Sequence, residues 1–108
     1  MEYEKRYNEE GQVAVLISPG FGAGWSTWGG RDDSEALLFD SRLVDAILAE
    51  EMSTEEFVEY CKSLGYENYM GGAKDLEVVW LDPGTRFTVE EYDGSESLRT
   101  FDDLCYVA

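Results

Sequence analysis

The residues best suited to chemistry lie in one stretch, Ser18-Pro-Gly-Phe-Gly-Ala-Gly-Trp-Ser-Thr-Trp-Gly-Gly30. Glycines such as Gly22 and Gly24 let a backbone approach a ligand closely and adopt positive φ. Consecutive amides after a strand can cradle an anion. Ser18, Ser26 and Thr27 supply hydroxyls for phosphate or ribose oxygens. Trp25 and Trp28 offer flat faces to a purine, a stacking contact that contributes about 1–3 kcal/mol. Arg31, just beyond, is placed to neutralise phosphate charge. The opposing reading is structural: the glycines serve turns, and Trp25 and Trp28 plug the end of the core. Gly20-x-Gly22-x-Gly24 lacks the GxGxxG spacing of a dinucleotide loop, and the stretch has no Gly-Lys-Ser/Thr ending of a Walker A loop.

A second candidate is Gly71-Gly-Ala-Lys-Asp75. Gly72 again frees the backbone, Lys74 is a phosphate partner, and Asp75 is an acceptor for a ribose or a base amine. The alternative is a tight turn into the strand that follows. Arg86 and Arg99, on adjacent hairpin strands, are either pocket cations or neutralised surface charges. Tyr92-Asp-Gly-Ser-Glu96 reads most simply as a hairpin turn. Its carboxylates, with Glu90 and Glu91, carry charge for a divalent metal but no fixed geometry. No catalytic residue, metal ligand or cofactor is assigned.

The composition narrows the chemistry. Asp plus Glu number 24 and Lys plus Arg number 8, a net charge of −16. Such a chain repels nucleic acid, so direct nucleic-acid binding is not expected. The acidity either solvates the surface, imitates a polyanion on a basic protein surface, or binds cations. The last is weakest, because no DxDxDG calcium loop is present. The absence of histidine removes Ser–His triads and the common zinc sites. Cys61 and Cys105 lie in apolar patterns without a CxxC, which reads as two buried reduced thiols. No apolar run is long enough to span a bilayer. The first ten residues are charged and lack the apolar stretch of a secretory signal. These features predict a soluble cytoplasmic protein of one domain, residues 1–108.

The elements that must position these groups follow from periodicity. Val13–Ile17 reads as a buried strand leading into the Gly-rich stretch. Asp40 reads as the N-cap of a helix whose apolar stripe is Leu43, Val44, Ile47 and Leu48. Ser53-Thr-Glu-Glu56 fits a capping box opening a second helix, buried through Phe57, Val58, Cys61 and Leu64 and stopped by Gly65. Leu76–Leu81 is a strand, Pro83-Gly84 a turn, and Thr85–Tyr92 an alternating strand with Phe87 and Val89 on one face. Residues 97–107 supply one more strand or two short ones. The order predicts an α+β domain: a mostly antiparallel sheet of about four to five strands, with two helices packed on one face. The other sheet face is expected to be solvated. If Val13–Ile17 and Leu76–Leu81 pair antiparallel, the two Gly loops share one sheet end and form one pocket.

Ser18-Pro-Gly-Phe-Gly-Ala-Gly-Trp-Ser-Thr-Trp28, Gly71-Gly-Ala-Lys-Asp-Leu-Glu-Val-Val-Trp-Leu81 and Glu90-Glu-Tyr-Asp-Gly-Ser-Glu96 resemble motifs of small uncharacterised proteins of tailed phages and some bacteria. The resemblance covers Val13 to Glu96, and its eleven-residue first block is the specific one. It implies a phage accessory protein that blocks bacterial immunity. By analogy with one class of these, the expected function is capture of a nucleotide-derived immune signal, a cyclic dinucleotide or an ADP-ribose derivative, without cleavage. The alternative is an acidic protein that inhibits a host defence protein by covering its basic nucleic-acid-binding surface. A metal-dependent phosphodiesterase is a minor third reading. A second subunit completing the pocket is allowed for, although nothing in the sequence signals it directly.

Overall fold

The computed structural model describes residues 3–19, 25, 34–66, 73, 76–92, 95–100 and 106–107. Along these the elements are β1 (Val13–Ile17), α1 (Ser34–Phe39), α2 (Ser41–Ala49), α3 (Thr54–Ser63), β2 (Glu77–Leu81), β3 (Arg86–Tyr92), β4 (Ser95–Thr100) and β5 (Tyr106–Val107). The class is α+β, and the strand pairs are antiparallel. The expected single sheet is instead divided. β1 pairs with β2 and is bridged on its other edge by Tyr7 at Val13, and a separate three-stranded sheet has the order β4-β3-β5.

β1 explains the division. All five of its side chains are buried, and a strand apolar on both faces needs cover on both. Ala14 and Leu16 point to Leu43 and Val44 of α2, Phe57 and Cys61 of α3, and Trp25. Val13, Val15 and Ile17 point the other way, to Leu38, Phe39 and Phe87, with Val89 and Leu98 packed alongside. The face expected to be solvated is therefore covered by the second sheet. β2 follows the same alternation, with Val78 and Trp80 on the helix side and Val79 and Leu81 on the sheet side.

α1 is a third helix that the sequence reading did not anticipate. Ala36-Leu-Leu-Phe39 is apolar without a period because the helix is buried on two sides. Ala36 and Leu37 enter one cluster, Leu38 and Phe39 the other. The amino-terminal segment closes the edge beside it. Tyr3 stacks on Phe39 with centroids 6.4 Å apart, and Lys5 Nζ lies 4.6 Å from the same ring centroid.

The signals at helix ends are realised as read. Asp40 caps α2, accepting from the Arg42 amide. The Ser53–Glu56 capping box opens α3. At its other end Gly65 sits at φ 103°. The Gly65 amide donates to Lys62 and the Tyr66 amide to Cys61, at 3.0 and 3.1 Å. That pair of bonds is a Schellman closure, and the left-handed φ favours glycine there. No helix among the described residues is long and apolar enough to cross a membrane.

Candidate functional site

Ile17 pairs with Glu77 at one end of the β1–β2 ladder. The chain leaves β1 at Ser18 and arrives at β2 from Leu76 at that same end. The start of β4 reaches it too, and the reason is periodicity. Leu98 faces the core, so Glu96, two residues earlier, shares its face. Glu96 is only 1% exposed. The Ser18 amide donates to its Oε1 at 3.0 Å, and the Trp25 amide donates to Oε2 at 3.1 Å. The Glu96 amide returns a bond to the Ser18 carbonyl at 2.8 Å, and Ser95 Oγ donates to the Pro19 carbonyl at 2.7 Å. Two amides of the stretch expected to cradle a ligand's anion, those of Ser18 and Trp25, thus hold a carboxylate of the chain itself. The sequence reading left Glu96 in a turn or a metal cluster. The missed signal was its inward register with Leu98.

Trp25 is a core residue. It is 0% exposed, its ring packs against Phe57 with centroids 6.0 Å apart, and its Nε1–H donates to the Leu37 carbonyl at 2.8 Å. The expectation that it stacks on a purine is corrected: of the two readings of this residue, the core plug holds. Burying so large a side chain is worth more than exposing it beside a loop, and the indole N–H finds a partner inside. Ser18 is also wholly buried, and its Oγ has no hydrogen-bond partner among the described residues. Arg86 is exposed at the far end of β3. Glu96 pairs with Glu91, five residues or roughly 17 Å along the strand from Arg86, so Arg86 does not join this cluster. Gly22, Gly24, Ser26, Thr27, Trp28, Arg31, Gly72, Lys74 and Asp75 lie outside the described residues.

A cleft of about 310 Å³ opens where α2 turns into α3. Phe57 and Ala73 form its buried floor, and Ala46, Ile47 and Leu76 are half-buried around them. Its exposed rim is Glu50, Met52, Ser53 and Thr54. That size is near the lower end of small-molecule sites, ~300–1,000 Å³. Glu51, Glu55 and Glu56 are exposed beside the rim. The Ser53 amide and hydroxyl hold the Glu56 carboxyl below its usual range. Leu48, expected in the buried stripe of α2, is instead 45% exposed, and Met52 is 42% exposed.

Asp40 is a buried carboxylate with ample partners. Tyr66 Oη donates to it at 2.7 Å, and Arg42 approaches with Nη2 at 2.7 Å and Nε at 3.1 Å. Burial pushes its pKa up, but the Arg42 and Tyr66 hydrogen bonds outweigh that, leaving it below the usual 3.8. Burial first, then the charge of Asp40, pushes the Cys61 thiol up to about 12. A nucleophilic cysteine needs the opposite environment, so Cys61 is a packing residue, as its position in the apolar pattern implied. Among the described residues no group of three or more Cys, Asp or Glu is placed to hold a metal.

Comparison of the chain with protein-family models, with curated proteins and with solved structures finds no match.

Proposed function

We propose that this protein acts by binding, without catalysis, and that it covers a basic nucleic-acid-binding surface on a partner protein. The supporting observation is how the charge is distributed. Arg6, Arg42 and Lys62 each sit against one carboxylate, of Asp45, Asp40 and Glu59. Glu50 lines a cleft floored by Phe57 and Ala73, and Glu51, Glu55 and Glu56 near it in the chain are exposed to solvent. That surface attracts cationic patches and repels phosphate, and complementary charge speeds encounter and rejects wrong partners. The resemblance to small phage proteins suggests a bacterial defence protein as the partner. The test is displacement of a basic DNA-binding protein of the host from DNA. The native chain displaces it in a salt-sensitive manner, whereas a variant with Glu50, Glu51 and Glu55 changed to Gln does so at least tenfold less well. Displacement by both proteins alike, or by neither, overturns the reading.

A second reading, capture of a nucleotide-derived signal, is supported by the shared end at which the chain leaves β1 and reaches β2. Its binding groups are Ser18 with Gly22, Gly24, Ser26, Thr27, Trp28, Arg31, Gly72, Lys74 and Asp75. Calorimetric titration with cyclic dinucleotides and cyclic ADP-ribose isomers tests it. Heat with none of them, from folded protein, removes it, and recovery of an intact ligand separates capture from hydrolysis. Trp28→Ala is the informative variant, because Trp25→Ala removes core packing instead.

A further inference from the structure

We infer that the α2–α3 cleft is the docking point for a Lys/Arg-rich segment of a partner protein, and that it takes one apolar side chain of that segment. This rests on the basic-surface reading and adds where and how the contact is made. The cleft is apolar at its floor, with Phe57 and Ala73 buried there. It is not sealed: Met52 on its rim is 42% exposed. Apolar surface left open beside carboxylates selects a particular occupant. An anionic ligand meets Glu50 on the rim and Glu51, Glu55 and Glu56 beside it. A purely cationic ligand gains nothing from Phe57, Ile47 or Leu76. A segment with an aliphatic side chain flanked by Lys or Arg satisfies both, with the apolar group as anchor and the charges on a solvated rim. The capping box fixes this rim. Glu56 is held back onto the Ser53 amide at 3.0 Å, and the Ser53 hydroxyl accepts from the Glu56 amide at 3.1 Å. The acidic corner is thereby part of a defined helix start.

The geometry divides the labour between groups. Rim carboxylates in water contribute mainly to association rate and salt dependence. The anchor contributes mainly to the lifetime of the complex.

The test uses the full chain and a fluorescent arginine–lysine peptide with one central leucine, read by anisotropy. A twin peptide has serine in place of the leucine. The expected result is binding of the leucine peptide and about tenfold or more weaker binding of the serine twin, the discrimination expected from burying one aliphatic side chain. Met52→Ser, at an exposed position, weakens the leucine peptide and leaves the serine twin unchanged. Glu50→Gln with Glu51→Gln and Glu55→Gln weakens both peptides. Glu4→Gln with Glu9→Gln and Glu10→Gln, on the amino-terminal segment, weakens neither. Equal affinity for the two peptides, or equal effects of the two glutamine triples, overturns the cleft while the basic-surface reading stands. No binding of either peptide by folded protein at low salt overturns both. Complete displacement of the leucine peptide by spermine, or self-association lost on Met52→Ser, assigns the cleft to another occupant and overturns the inference.

Discussion

Glu96 is the residue whose loss should tell most about the strand end. Its carboxylate accepts from the Ser18 amide at 3.0 Å and from the Trp25 amide at 3.1 Å, one on each oxygen. Hydrogen bonds to a charged partner contribute about 1.5–3 kcal/mol each, and removing one partner strands a buried donor. Glu96→Gln keeps one acceptor oxygen and turns an NH2 toward the other amide, so one bond is lost. The expected cost is about 1.5–3 kcal/mol. For a domain near this size that is a fall in Tm of roughly 6–24 °C. Glu96→Ala loses both bonds, about 3–6 kcal/mol, a large share of the ~5–15 kcal/mol that holds a typical domain. Thermal melts give the total, and amide hydrogen exchange gives the location. In the Gln variant the Ser18 and Trp25 amides should lose protection while those of Val13 and Val15, which point toward β2, keep theirs. Glu9→Gln, at an exposed position of the amino-terminal segment, is the control and should stay within about 0.5 kcal/mol of the parent. If Glu96→Gln melts within about 2 °C of the parent, and both amides stay protected, the carboxylate is not what ties the Gly-rich stretch to β4.

Ser18→Ala should leave thermal stability unchanged or raise it slightly, since its buried hydroxyl has no partner among the described residues and an unpaired buried hydroxyl costs free energy; a fall in Tm of several degrees would mean the hydroxyl has a partner. Asp40→Asn should destabilise by about 1–3 kcal/mol at neutral pH, discounted from a fully buried pair because Arg42 is half in water. The Asp40 pKa is lowered on folding, so its contribution is present above pH 3.8 and lost as pH falls through its folded value. Acid titration of the Asn variant should accordingly lack that part of the parent's slope. Cys61 is raised from 9.0 to about 12, so the neutral thiol favours the folded state fully below pH 9. That contribution is lost as pH rises toward 12, by about 1.4 kcal/mol per unit for one group. Cys61→Val should flatten the alkaline melt, and Cys61 in the parent should resist iodoacetamide until the chain unfolds. A thiol that reacts in the folded state would contradict its burial.

Local rules made much of this fold legible in the sequence. Val13–Ile17, the Asp40 cap, the Ser53–Glu56 box, Gly65 and the Pro83-Gly84 turn are each decided by a few neighbouring residues. At that turn Gly84 takes φ 85° and the Thr85 amide donates to the Asp82 carbonyl at 3.1 Å. What could not be read was which surfaces meet. β1 was correctly read as buried, yet its two apolar faces already required cover on both sides. A single sheet with one solvated face could not have supplied it. α1 escaped for the same reason: doubly buried residues have no periodicity to reveal.

The site divides along the same line. A Gly-rich stretch after a strand presents amide donors, and donors removed from water require an acceptor. Its composition announces that requirement but does not say whether a ligand or the chain meets it. Here the answer lay 78 residues from Ser18 and 71 from Trp25, in the two-residue period that sets Glu96 on the face of Leu98. Only the stacking of β4 near β1 turns that inward carboxylate into the partner of Ser18 and Trp25. The same packing decides Trp25, because a backbone amide fixed on Glu96 carries its indole toward Phe57 and the Leu37 carbonyl. An anion arriving at these amides would have to displace a covalently tethered carboxylate of high effective concentration. That competition, more than the number of glycines, weakens phosphate capture at the Ser18 and Trp25 amides.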